Sequence, residues 1–160
     1  MINEFIAKKL GEVLAFAEVG IETLERGQEG FASVLGKSAP EKMLETNKEH
    51  SALLKKIAAD DKQFGSVTLA KSIKTGEKLR KMRDLYVGDE WDNGVELLEW
   101  SGFFEGAALV HWQLVLGAAQ GIKNKDLEKL AREASLFHEA FLKTAGDFLH
   151  KTGEKRSETM

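Results

Sequence analysis

The chain has no cysteine, and only one proline and one tyrosine, in 160 residues. Without cysteine there is no disulfide, no thiol nucleophile, no zinc ribbon, no rubredoxin-type iron site and no Cys-ligated iron–sulfur cluster. The lone proline, Pro40, and the scarcity of apolar residues alternating at period two argue for helices throughout. Neither sign of charge dominates. Twenty-three Lys and Arg against 26 Asp and Glu leave a net charge of −3, which gives no general pull toward nucleic acid or an anionic membrane. A long apolar run is also missing: the best candidate, 103–119, is broken by Glu105, His111 and Gln113. The first ten residues place Glu4, Lys8 and Lys9 in an amphipathic pattern, unlike the apolar core of a secretory signal. The expectation is a cytoplasmic protein with no nucleic-acid or membrane partner.

What is present is ordinary globular composition, 42% hydrophobic and 31% charged, enough for one all-α domain over 1–152 and a flexible polar tail over 153–160. Four long helices are expected. The first, roughly 3–26, carries Ile6, Leu10, Val13, Ala17, Ile21 and Leu24 at helical spacing, with Phe5, Phe16 and Val19 widening that face. The second, about 38–63, starts at Ser38 and Pro40 and lines up Met43, Asn47, His50, Leu54 and Ile57. The third follows Asp89 and runs to about Gly121, apolar on nearly every side over 103–119. Such a helix either sits at the centre of the bundle or has its outer face covered by a second subunit, and a homodimer through this helix is expected. The fourth, about 125–151, turns Leu127, Leu130, Ala134, His138, Phe141 and Ala145 inward. Residues 65–88 join the second helix to the third as a long, partly helical crossover, with Lys71, Lys74, Lys78, Arg80, Lys81 and Arg83 as a solvated face.

One pattern links the two halves. Glu18 and Glu105 lie 87 positions apart, each close behind a Phe; His50 and His138 lie 88 apart. Two copies of a carboxylate helix followed by a histidine helix would bring two Glu and two His together inside a bundle. His50 and His138 sit on inward stripes, where imidazole serves either as a metal ligand or as a hydrogen-bonded core residue. Glu105, embedded in Phe103-Phe104-Glu105-Gly106-Ala107, is costly to bury unless it is paired or bound to a cation. On the first helix the wheel favours Glu12 and the internal echo favours Glu18; Glu18 is chosen. Asn47 and Ser135 each precede an inward histidine by three residues and are expected to orient neighbouring groups. His111 faces away from Glu105 and is placed at a subunit interface.

At these residues the chain resembles the ferritin-like superfamily, and rubrerythrin-related bundles in particular. Asn47-Lys48-Glu49-His50 and Ser135-Leu136-Phe137-His138 look like that family's E-x-x-H pairs, with Asn and Ser at the Glu positions. Glu105-Gly106-Ala107-Ala108 resembles its third-helix pattern, and Glu18 is the first-helix match. The resemblance implies a ferritin-like four-helix bundle with a long crossover. It also implies a transition metal (iron, manganese or zinc) held by Glu18, His50, Glu105 and His138, with oxygen- or peroxide-linked redox chemistry. The carboxylates expected three residues before each histidine are absent, and so is the family's cysteine-bearing tail. The alternative reading is a metal-free helical scaffold or interaction protein that has lost the site. A third is a haem held by His50 and His138.

Overall fold

The computed structural model describes residues 1–158, which form six helices and, among the described residues, no strand. They are α1 (Glu4–Arg26), α2 (Gln28–Leu35), α3 (Ser38–Asp60), α4 (Gly65–Val87), α5 (Gly94–Gly121) and α6 (Lys125–Glu158). Side-chain oxygens begin three of them: Asn3 accepts from the Ile6 N–H, Asn93 from Val95 and Glu96, and Asn124 from Leu127. Each satisfies donors that the first helical turn leaves without partners. No helix among the described residues is long and apolar enough to cross a membrane.

The centre belongs to α1, not to α5. Helix α1 buries Leu10, Val13, Leu14, Ala15, Phe16 and Val19 and has neighbours on three sides. The ion pairs Glu25–Lys48 and Glu18–Lys55 show that α3 runs antiparallel to it. Phe16 against Phe104, and Glu12 beside His111, show the same for α5. Helix α4 runs parallel to it, from Thr68, whose Oγ1 donates to the Ala7 carbonyl at 3.1 Å, to Arg83, which lies 3.3 Å from Glu22. The outward side of α5 is left exposed, with Phe103, Val110 and Leu114 on it.

The segment 65–88, expected as a crossover with some helix in it, is therefore almost wholly one 23-residue helix laid along α1. Its apolar signal is weak because few of its buried residues are apolar: Leu79 and Val87 share the inward side with Gly65, Thr68, Gly76 and Arg83. The close approach is made by Gly11, where a Cβ would stand 2.5 Å from the Thr68 carbonyl oxygen. Part of the face expected to be solvated is also tied down, since Arg80 and Arg83 both reach Glu22. Two shorter corrections follow. The link between the first two long helices contains α2, and α6 continues through residues 153–158, which composition suggested as a flexible tail; residues 159 and 160 of that tail lie outside the described residues. Helix α6 can extend because 153–158 contains no proline and only one glycine to stop it.

Two apolar clusters fill the interior. One gathers around Phe16, Phe31, Leu97, Trp100 and Phe104, the other around Leu10, Leu14, Leu54, Trp112 and Leu127. Along α5 and α6 they meet at Glu105 and His138, which sit between Phe104 and Phe141 on one side and Trp112 and Ala134 on the other.

Candidate functional site

Helices α5 and α6 form an antiparallel hairpin closed by residues 122–124, and this brings Glu105 opposite His138. Both side chains are sealed from solvent, at 4% and 1% exposure. An ionised carboxylate can only accept, so His138 Nδ1–H donates to Glu105 Oε2. The pair answers the burial problem that the sequence raises for Glu105: each group supplies what the other loses on leaving water.

His50 approaches from α3. Its ring lies 6.2 Å from that of His138 and 5.7 Å from both Trp112 and Phe137, centroid to centroid. Burial among these rings, followed by the electrostatic influence of His138, pushes its pKa down to about 4. His50 is thus a neutral imidazole at neutral pH. The unfolded chain binds this proton near the ordinary value of 6.5 and the folded chain only near 4, so the contribution is fully present above 6.5 and is lost as the pH falls through that window. Unfolding free energy should fall by up to ~1.4 kcal/mol per pH unit between those values, about 3 kcal/mol in all. Denaturant titrations across the window should show this slope in the native chain and a shallower one in His50→Gln.

Three of the four expected ligand residues are thus drawn together, and the fourth is not. Glu18 reaches outward to Lys55 at 2.7 Å and is one-third exposed. It stands at the edge of the α1 apolar stripe, where α3 offers a lysine instead of the core. Glu12, the choice of the helical wheel, is better buried but is held by Lys9 at 3.0 Å and Lys71 at 3.7 Å. Among the described residues, no three His, Cys, Asp or Glu side chains gather into a group that could hold a metal ion. The donor set of Glu18, His50, Glu105 and His138 therefore does not fit a four-ligand centre.

Asn47 and Ser135 both point inward, as their spacing to the histidines implies. Asn47 Nδ2 donates to the Met43 carbonyl at 3.0 Å, while Asn47 Oδ1, Ser135 Oγ and His50 Nδ1 have no partner among the described residues. Gly20 of α1 makes the room: a Cβ there would stand 3.0 Å from Asn47 Oδ1. Sequence reasoning passed over Gly20, although a glycine inside a long helix is a signal, since it lowers helix stability unless something comes close. The roles of Trp112 and Phe137 around His50 left no such signal, because any inward aromatic reads as core.

Within its own chain His111 turns toward α1 and remains about one-third exposed. Its Nδ1 bonds the Ala107 carbonyl at 2.7 Å, its ring lies 4.9 Å from Phe16, and its Nε2 is 3.8 Å from Glu12. A haem between His50 and His138 would have to displace Trp112 or Phe137, whose rings already flank His50. Comparison with protein-family models, with curated proteins and with solved structures gives no match to this chain.

Proposed function

We propose that this chain is a ferritin-like helical bundle acting as a scaffold that docks a partner through its outer surface, with Glu105, His138 and His50 serving as a structural polar core. The observation that carries it is the way the chain divides its chemistry: the titratable core residues are sealed and turned toward one another, while Phe103, Val110 and Leu114 form an apolar stripe on the open side of α5. Contiguous exposed apolar surface of this kind marks an interaction site. The ferritin-like assignment is supported by the residues that resemble the family, by α1, α3, α5 and α6 carrying Glu18, His50, Glu105 and His138, and by the placing of α4 between α3 and α5. Elemental analysis of protein from cells supplied with iron, manganese and zinc should find no stoichiometric metal. His50→Ala and His138→Ala should change stability without changing that composition.

A second reading, a transition-metal protein, is favoured by one arrangement. Glu105 holds His138 Nδ1, which leaves Nε2 as the ring nitrogen that could ligate, as second carboxylate partners do for metal-bound histidines. His50, with the unpartnered oxygens of Asn47 and Ser135, would supply the remaining donors. The metal would provide Lewis-acid or redox chemistry toward oxygen or peroxide. Near one equivalent of metal that disappears in His138→Ala would establish this reading over the scaffold.

A further inference from the structure

We propose that the partner on the open face of α5 is a second copy of this chain, paired antiparallel about a twofold axis near Gly106. The proposal rests on the scaffold reading for its purpose but on separate observations for its geometry.

The first concerns glycine. Gly102, Gly106 and Gly117 lie inside α5, and a Cβ at any of them would meet nothing within 4 Å. Helix-interior glycine is less stable than alanine, and nothing among the described residues uses the space. With Phe103, Val110 and Leu114 these glycines fall within roughly one third of the helix circumference at 3.6 residues per turn. Small residues flanked by apolar ones are what close approach of a second helix requires.

The second lies beside that stripe. A groove of about 450 Å³ opens between α4 and α5, lined by Met82, Leu85, Tyr86, Trp100 and Phe103. Leu85 is 88% exposed, whereas Trp100 is 97% buried and its indole Nε1–H has no acceptor among the described residues. An antiparallel partner centred on Gly106 sets Val110 and Leu114 of the second copy against this groove and its rim.

Charge gives the orientation. No Lys or Arg occurs in 94–121; acidic residues precede α5 (Asp89, Glu90 and Asp92) and occupy its first turns (Glu96 and Glu99), and Lys123 and Lys125 follow it. An antiparallel pair sets acidic against basic ends twice and opposes the two helix dipoles favourably, whereas a parallel pair sets like against like. The helix face alone supplies about half of the area such a pair needs. A 28-residue helix is about 42 Å long and ~10 Å wide, roughly 400 Å² of footprint. The adjoining α4 side chains extend this toward the ~800 Å² per partner of a stable interface.

Analytical ultracentrifugation of the full chain at micromolar concentration should give twice the 17.8 kDa chain mass. Val110→Arg, at an exposed position where folding tolerates it, should raise the dissociation constant by roughly 100-fold or more while leaving the helical circular dichroism unchanged. Lys123→Glu should weaken pairing, and Asp89→Lys added to it should restore pairing. A monomeric native chain, or a dimer indifferent to Val110→Arg, overturns the proposal; a dimer weakened by Val110→Arg but not rescued by the charge swap overturns the antiparallel orientation. Elemental analysis is independent of this readout. A metal-loaded dimer would remove the scaffold reading and keep the pairing, and a metal-free monomer would do the reverse.

Discussion

Replacing Glu105 with Leu should lower the unfolding free energy by about 3–5 kcal/mol, the range for removing one partner of a buried ion pair. Leu fits the apolar surroundings in size, so the loss comes from what is left behind. His138 Nδ1–H loses its acceptor, Glu105 Oε2, in a position 1% exposed, and the ring must remain buried with an unmet donor. Removing both partners together should be far milder. Glu105→Leu with His138→Leu leaves an apolar seam between the two core clusters, and such replacements of buried pairs are often neutral or stabilising. Chemical denaturation of the two single variants and the double variant measures the coupling directly. A Glu105→Leu loss below about 1 kcal/mol would mean that the pair contributes no more than a surface ion pair and that the core does not depend on it.

Gly65→Ala should be the other severe substitution, at about 3 kcal/mol or more, beyond the usual range for inserting a methyl group into a packed site. The added Cβ would stand 1.9 Å from the Ala58 carbonyl oxygen and 2.9 Å from its carbon. Both are backbone atoms near the end of α3, so no side chain can swing aside. The corner is also fixed by hydrogen bonds. Asp61 Oδ1 accepts from the Gln63 and Phe64 N–H groups at 3.0 Å each, and Gly65 N–H donates to the Asp61 carbonyl at 3.0 Å. Relieving the clash means opening this turn and shifting the start of α4, which then pulls on the Gly11–Thr68 approach. Gly146→Ala is the control: it lies within α6, a Cβ there meets nothing within 4 Å, and the change should stabilise by up to ~1 kcal/mol. Thermal melts of the two variants should move in opposite directions, and equal behaviour would show that the α3–α4 corner yields easily.

These two residues also divide what could be read from the sequence from what could not. Glu105 announced itself because a carboxylate inside Phe103-Phe104-Glu105-Gly106-Ala107 needs a partner under any fold, and His138 on an inward stripe is the kind of group that supplies one. The same reasoning brought in His50, Asn47 and Ser135, all of which are buried. It failed at Glu18, because a helical wheel shows which way a side chain leaves its own helix but not which neighbour it meets. Lys55 of α3 captured it. Helix α4 was under-read for a related reason. Its inward surface is made by glycine, threonine and an arginine, so apolar periodicity understates a helix whose packing depends on backbone proximity and on Glu22 across the gap.

Sequence alone determined the all-α class, the position of α1, α3, α5 and most of α6, the inward direction of both histidines and the need of Glu105 for a partner. Each of these follows from local periodicity or from the free energy of burying one group, and neither quantity depends on which helices become neighbours. Tertiary structure decided that α1 and not α5 lies at the centre, that α4 runs along α1, and that Glu105 spends its charge on His138 while Glu18 faces outward. Those outcomes depend on distances between residues far apart in the chain, which only the packing of the six helices sets.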